Sequence, residues 1–237
     1  MFNYAAEPEL EDVRVRKALA HVLDGDQIGR VARGEAYTGV EYYAGLVDLH
    51  AEQIMSADEP ADFEHYGHDL DKAEVLLEEA GWTKEEGTWY PPDGSEAEFE
   101  VIGVAVRHWG NPEQPDYWGA FQMNFLTENA GTEDAPGQSF DLDVDSPSQG
   151  KVNLEELVHT AQQATSEEEQ HEALKMMMIV FNELLPRIPL WTYTYLSPAI
   201  DGVRVESFDP DHPASQNEQY QDNHIMLQLI QGDLKSV

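Results

Sequence analysis

Cysteine is absent from this 237-residue sequence, and basic residues are scarce. The lack of cysteine excludes disulfide frameworks, thiolate zinc sites and cysteine nucleophiles. Lysine and arginine together number 13 against 47 aspartates and glutamates, which gives a formal net charge of -34. Binding of nucleic acid needs clustered lysine and arginine to neutralise phosphates, so the charge balance argues against that function. It also argues against attraction to an anionic membrane surface.

Long apolar segments and enzyme motifs are also absent. No apolar run approaches the ~20 residues of a membrane-spanning helix, so we expect no direct membrane insertion by this chain. Residues 1–8 have neither a basic region nor an apolar stretch, and no signal peptide is visible there. The sequence has no glycine-rich phosphate loop, nucleophile-elbow pattern or His-Glu-x-x-His motif. We therefore expect a protein that is not an enzyme and has no cofactor.

Apolar and aromatic residues are plentiful enough for a packed core. They make up 41% and 10% of the sequence, which argues against disorder despite the high charge. The length corresponds to one large domain or two small ones. Concentrated salt screens charges over a few ångströms and suppresses the self-repulsion of such an acidic surface. We therefore expect a halophilic source.

Capping residues and apolar periodicity predict several helices. The predicted helices cover residues 13–23, 26–33, 46–55, 70–80, 117–125, 153–164 and 166–185. Asp12 and Asp26 are the predicted N-caps of the first two, and either Asp69 or Asp71 caps the helix over 70–80. Ser166 begins a capping-box pattern. The helix over 70–80 is expected to pack the apolar stripe of Ala73, Leu76, Leu77 and Ala80.

Two apolar patterns within these helices predict packing rather than chemistry. Val15, Leu19 and Val22 share one side of the first helix. Met176–Met178 are consecutive, and consecutive helical residues point in different directions, so we expect core packing with some exposure. Strands are predicted over residues 97–109, 188–195 and 203–205, with a turn at 89–94 between two extended pieces. Residues 110–150 are predicted to be mostly loop.

Three segments carry a pattern found in one known family. The first joins Phe2–Asn3 to Asp12–Leu19 and Asp24–Ile28, the second is His68–Trp82 followed by Trp89 and Pro92–Gly94, and the third runs from Glu169–Leu174 to Leu185–Trp191. In this order, and over most of residues 2–205, they resemble family 5 extracellular solute-binding proteins. These are the peptide, oligopeptide and nickel receptors of ATP-binding-cassette importers.

The resemblance implies an α/β fold, type II periplasmic-binding-protein-like, whose two lobes close on a ligand by hinge motion. Residues 1–190 would form the second lobe, and residues 191–237 the return segment through the hinge. In the family a first lobe with its leader sequence comes before the segment like Asp12–Leu19. We therefore expect the first lobe to be missing here, and the complete protein to be extracellular or at the cell surface. We also expect an internal deletion near residues 104–107, where family members have a helix and a strand.

The resemblance also implies a ligand-facing segment. The ligand-binding candidates are Arg107, Trp109, Asn111, Asp116 and Tyr117. A tryptophan face is an apolar platform for a peptide, and a guanidinium can hold a carboxylate through two hydrogen bonds. In peptide-binding members an aspartate three residues after the matching tryptophan pairs with the amino group of the ligand. That position is Pro112 here, so Asn111, Glu113 or Asp116 would have to replace the aspartate.

The implied function is that of a substrate-binding component, as a fragment, of an ATP-binding-cassette importer that captures peptides or similar small solutes. Its implied partners are the solute and the permease subunits of the importer. Two alternatives remain open from the residues. One is a stand-alone metal-dependent enzyme that uses His65 and His68 with Asp69 and Asp71, although both aspartates are also explained as helix caps. The other is a non-functional gene remnant.

Overall fold

The structure is a computed structural model, and it describes most of the chain outside one long central stretch. The described residues are 7–55, 63–97, 110–111, 114–115, 143–193, 203, 205–206, 228 and 230–236. The α-helices with described bounds are α1 (Val13–Val22), α2 (Gly25–Arg33), α3 (Asp48–Ile54), α4 (Leu70–Glu79), α5 (Leu154–Gln163) and α6 (Glu167–Leu184). Each lies within two residues of its predicted range. The predicted helix over 117–125 lies outside the described residues.

Side-chain caps explain where these helices begin. A backbone N–H in the first turn donates to the side chains of Asp12, Asp69, Asn153 and Ser166. These bonds satisfy donors that the helix itself leaves unpaired. Asp69, rather than Asp71, is therefore the cap of α4. The predicted cap of α2 is wrong: Asp24 accepts the Gln27 N–H at 2.8 Å, because the helix already begins at Gly25.

The first part of the structure is built from α1, α4 and a hairpin, and we call it the α1–α4 unit. The hairpin consists of β2 (Thr83–Glu85) and β3 (Thr88–Tyr90), which pair antiparallel. Glu86 and Gly87 join them with φ values of 49° and 91°, the left-handed values that a tight type I′ turn requires. Leu10, Val15 and Trp82 form the buried apolar cluster of this unit.

The larger apolar cluster, which we call the main core, lies around α6. Its buried members are Ala20, Tyr43, Ala44, Leu46, Ala51, Ile54, Tyr66, Val152, Leu154, Val158, Ala161, Ala173, Leu174, Met177, Met178, Val180, Phe181 and Leu185. Met177 and Met178 are buried and Met176 is half-buried, which confirms the prediction of core packing with some exposure. Hairpin β6–β7 (Asp143–Ser146 and Gly150–Asn153) leads into α5 and packs Val152 into this core.

The β6–β7 hairpin corrects the sequence prediction of loop over residues 110–150. Burial alternates along β6, but three of its four residues are polar, so the apolar signal is weak. A second departure concerns the strand predicted over residues 188–195. Its described part is shorter: β8 (Thr192–Tyr193) pairs antiparallel with β1 (Tyr37–Thr38). Nearly all of the strand predicted over 97–109 lies outside the described residues.

The strand predicted over residues 203–205 is confirmed at Val205, whereas Val203 lies in a turn. The observed strand is β9 (Val205–Glu206), which pairs antiparallel with β10 (Lys235–Ser236). The chain just before β8 approaches α2 closely at Gly29. A Cβ atom on Gly29 would lie 2.1 Å from the Tyr37 ring and 3.1 Å from the Cβ of Trp191, so only glycine fits there. No helix in the described ranges is both long and apolar enough to span a membrane.

Candidate ligand-binding site

The predicted ligand-facing segment coincides with the least described part of the chain. Arg107, Trp109, Asp116 and Tyr117 lie outside the described residues, so their roles stay predictions. For Asn111 only the backbone is described: β4 (Gly110–Asn111) pairs antiparallel with β5 (Gln114–Pro115), and Asn111 is opposite Gln114. The chain therefore runs in opposite directions in these two short strands.

Both histidines of the alternative metal site, His65 and His68, lie within the described residues. The Nδ1 atom of His65 lies 3.2 Å from the backbone oxygen of Glu41, and both His65 and His68 are exposed. Asp69 is engaged as the cap of α4, where it accepts the Lys72 N–H at 3.0 Å. Within the ranges that the structure describes, no group of three or more histidine or acidic side chains is arranged to hold a metal ion. The metal-dependent alternative therefore has no donor set there.

What the structure does bring together is a cluster of polar side chains between α1, α4 and α6. We call it the polar joint and define it as Lys17, Glu64, Tyr66, Lys72 and Asn182. Glu64 and Tyr66 belong to the segment before α4, and Asn182 lies in the last turn of α6. These residues come from three distant parts of the sequence, so no local pattern in the sequence predicts their contact.

Asn182 fixes the segment around Glu64 to α6. Its Oδ1 accepts the Glu64 N–H at 2.9 Å, and its Nδ2 donates to the backbone oxygens of Glu64 at 2.9 Å and Tyr42 at 3.1 Å. The side chain is buried, and burial makes unpaired amide groups costly. Both ends of the amide are satisfied, so this contact stabilises the junction.

Glu64 forms ion pairs with both lysines of the joint. Its carboxylate lies 2.6 Å from Lys17 Nζ and 3.5 Å from Lys72 Nζ. Burial acts to raise the pKa of Glu64, but the hydrogen bond from Lys17 and the charges of both lysines outweigh burial, so the pKa lies below its ordinary value. Glu64 is therefore ionised at neutral pH and binds α1 to α4 through the two lysines.

Tyr66 contributes a buried aromatic ring and a hydrogen-bonding hydroxyl to the joint. Its hydroxyl lies 2.7 Å from the backbone oxygen of Asn182 and 3.1 Å from Glu64 Oε2, so one proton is placed between two acceptors. Burial, followed by the nearby Glu64 carboxylate, raises the pKa of Tyr66. The phenol stays protonated, and the joint contains no activated nucleophile. Its groups bind each other, which makes it a structural support rather than a catalytic centre.

Arg16 makes a second connection between α1 and α6. Its guanidinium donates to the backbone oxygens of Leu184, Leu185 and Leu10, with Nε to Leu184 at 3.0 Å and Nη1 to Leu10 at 2.7 Å. The residue is 4% exposed. The carbonyls at the end of a helix have no partner within it, and a cation there is favoured by the helix dipole. Arg16 therefore ends α6 and ties it to α1.

Comparison with known protein families identifies the first part of the chain. Residues 1–146, more than half of the chain, match the family described as bacterial extracellular solute-binding proteins, family 5 Middle. The chain belongs to this family. Comparison with curated proteins produced no match.

Solved structures of solute-binding proteins share the fold. NikZ from Campylobacter jejuni in complex with Ni(L-His) has 19% identity and a TM-score of 0.53, over 81% of this chain and 44% of NikZ. The mannohexaose-bound periplasmic oligopeptide-binding protein of an ABC transporter from Thermotoga maritima has 13% identity and a TM-score of 0.60. That match covers 99% of this chain and 51% of the other. A further structure of the Thermotoga protein matches at 15% identity with a TM-score of 0.53.

These likenesses confirm the predicted fold class, an α/β fold of the type II periplasmic-binding-protein kind. The proteins matched are binding proteins rather than enzymes. The chain spans about half the length of the solved proteins that it matches. The sequence analysis therefore predicted the family and the fold, whereas it missed the polar joint and the burial of Arg16.

Proposed function

We propose that this chain supplies one solute-contacting lobe of a receptor that serves an ATP-binding-cassette importer outside the cell. The observation that carries the proposal is the family match over residues 1–146, together with the shared fold of solved solute-binding proteins. Residues 1–190 form the lobe in this proposal, and residues 191–237 lead back through the hinge. In this proposal the capped helices and the polar joint support the segment that follows hairpin β2–β3.

The proposed solute is a peptide or a small molecule of similar size. The Thermotoga protein is named for oligopeptides and one of its structures holds mannohexaose, while NikZ holds Ni(L-His), so the fold accepts several classes. Within this chain, Trp109 offers a platform for apolar groups and Arg107 a partner for a carboxylate. A chain with a net charge of -34 repels anions, so an arginine at the site would be needed to hold a free C-terminus.

The test is a titration of the full chain with a short apolar peptide in two forms, the free acid and the C-terminal amide. Because the chain spans about half the length of the proteins it matches, we expect weak binding, with a dissociation constant of roughly 0.1–10 mM. Replacing Arg107 with alanine removes a charged hydrogen bond and should weaken binding of the free acid about tenfold. Binding of the amide should change little.

The matched control is Arg33→Ala, which removes the same charge from the exposed end of α2. It should leave both titrations unchanged. Equal effects of the two arginine variants would contradict the proposed role of Arg107. Failure of peptide, mannohexaose and Ni(L-His) to bind at millimolar concentrations, or micromolar binding by this chain alone, would contradict the proposal of a single weakly binding lobe.

We also propose that the protein works in concentrated salt. The formal charge of -34 favours unfolding at low ionic strength through self-repulsion. Repulsion between charges becomes short-ranged by about 1 M salt, where the Debye length is ~3 Å. Thermal unfolding in rising KCl should show a midpoint that increases steeply below about 1 M and then flattens. A midpoint independent of KCl would contradict this proposal.

A further inference from the structure

His21 occupies an unusual position at the end of α1, at the edge of the polar joint. The residue is 1% exposed. Its Nδ1 lies 2.7 Å from the backbone oxygen of Gly67. A carbonyl oxygen only accepts hydrogen bonds, so Nδ1 carries the proton and Nε2 has the lone pair. Nε2 is buried and has no hydrogen-bond partner among the described residues.

The same residue holds the chain on both sides of this contact. The backbone oxygen of His21 accepts the Asp69 N–H at 2.9 Å, and Asp69 is the cap of α4. The imidazole packs on Tyr66 with ring centroids 5.6 Å apart and an interplanar angle of 54°. His21 therefore fixes Gly67, Asp69 and the start of α4 to the last turn of α1.

The charges around the imidazole come from three elements. Lys72 on α4 disfavours a second positive charge, whereas Glu64 and Asp69 in the preceding segment favour one. Lys17 on α1 lies 5.6 Å above the centre of the Tyr66 ring. Burial lowers the pKa of His21, and the charge of Lys72 acts in the same direction, while the Gly67 contact and both carboxylates only partly oppose them. The neutral imidazole is therefore the stable form while His21 stays in contact with Gly67 and Asp69, which we call the closed form.

We propose that His21 is an acid-sensitive latch, whose protonation at Nε2 releases residues 67–69 from the end of α1. An added proton on Nε2 would lie in a buried site without an acceptor in the described structure, and that state is costly. Opening lets the imidazolium reach water and frees the start of α4. The α1–α4 unit thereby loosens at one edge while the main core stays folded. This inference concerns the folded chain alone and does not depend on solute binding.

The sign of the pH dependence follows from the lowered pKa. A histidine that is neutral in the closed form and free to titrate in the open form stabilises the closed form above about pH 6.5. That stability is lost as the pH falls, because the open form binds one more proton. The equilibrium constant for opening should rise about tenfold per pH unit below that value, until the closed form also titrates.

Glu64, which faces the imidazole, and His50 in α3 also have pKa values below their ordinary ones. The pKa of Glu64 lies below its ordinary value of 4.5, so its effect begins at lower pH. His50 is buried in α3, and burial lowers its pKa as well. The Met55 N–H, which donates to Ala51 at the end of α3, reports on His50 rather than His21.

Amide hydrogen exchange of the full chain in concentrated salt, followed by NMR from about pH 7.5 to 5, tests the latch. Protection of the Asp69 and Ala73 amides should fall about tenfold per pH unit, after correction for intrinsic exchange. The Leu185 amide at the end of α6 should keep its protection. His21→Asn keeps an N–H donor for Gly67 but cannot be protonated, so its protection at Asp69 should not depend on pH.

The matched control is His159→Asn, which changes an exposed histidine on α5 and should behave like the unchanged chain. An equal pH slope in His21→Asn and the unchanged chain would overturn the proposal, as would constant protection at Asp69. If His21→Asn fails to fold, the imidazole ¹⁵N signals of the unchanged chain decide. Titration of His21 at or above pH 6.5, or a proton on Nε2 at neutral pH, would overturn the latch.

Discussion

The main core and the α1–α4 unit are stabilised by different kinds of contact. Around α6, long apolar side chains such as Leu174, Met178 and Phe181 are buried against α3 and α5. The α1–α4 unit has a much smaller buried cluster, and it reaches α6 through Arg16 and the polar joint. Apolar packing is insensitive to pH and little screened by salt, whereas charged hydrogen bonds depend on both. The two regions should therefore respond differently to mutation and to solvent.

The largest effect is expected from Phe181→Ala in the main core. Phe181 is 1% exposed and packs so closely on Gly45 that a Cβ there would lie 2.7 Å from the phenyl ring. Removal of such a ring typically lowers the free energy of unfolding by about 3–5 kcal/mol. Urea unfolding in concentrated salt measures the loss. Leu49→Ala, at a leucine that is 52% exposed, should change it by less than about 0.5 kcal/mol.

A smaller but substantial effect is expected from Arg16→Ala at the connection between the regions. The change leaves the backbone oxygens of Leu184 and Leu10 without the charged donor, and we expect a loss of about 2–4 kcal/mol in the same urea experiment. Arg14→Ala is the matched control on the exposed side of α1 and should cost under about 1 kcal/mol. Equal losses for the two arginines would mean that Arg16 does not join α1 to α6.

Asp69→Ala should lower stability by about 1 kcal/mol, because it removes the side-chain cap of α4. Asp71→Ala removes only a favourable charge from the first turn and should cost about 0.3–0.5 kcal/mol. Hydrogen exchange within α4 locates the effect. A greater loss for Asp71→Ala would contradict the observed cap.

The smallest effect is the acid response of Glu64. Its lowered pKa means that the folded chain holds a carboxylate more strongly than the unfolded chain does. Its contribution is therefore present above about pH 4.5 and is lost as the pH falls through the folded pKa. Glu64→Gln, compared with Glu74→Gln on the exposed pair with Lys84, should flatten this part of the stability curve. The same acid loss in both variants would contradict the role of the polar joint.

The helices could be predicted from sequence because their signals are local. Asp12, Asp69 and Ser166 are caps that bond within their own first turn. The apolar side predicted for α1 is correct only in part: Val15 is buried but Val22 is exposed. The buried residues of α1 also include Arg16 and His21, whose partners lie at residues 184–185 and 67. Apolar periodicity identifies only apolar side chains, so it cannot reveal a polar side chain that is buried against distant backbone groups.

Hairpins were predicted less well than helices. The turn of β2–β3 is Glu86-Gly87, and its first strand is polar and exposed. The strands of β6–β7 are dominated by acidic and polar residues. Neither hairpin therefore resembles a pair of apolar strands. The candidate site depended on family resemblance rather than on local chemistry. No pattern in residues 107–117 alone distinguishes a ligand contact from packing of the lobe, so Arg107, Trp109, Asp116 and Tyr117 stay predictions.

The central claim, that residues 107–117 receive a solute, is tested most directly by NMR shift mapping of the full chain in concentrated salt. Peptide, mannohexaose and Ni(L-His) are each added to millimolar concentration, and backbone amide shifts are followed along the sequence. At least one of them should move the signals of Trp109, Asn111 and their neighbours while leaving α5 and α6 unchanged. Shifts confined to His65 and His68, or none with any of the three, would contradict the claim.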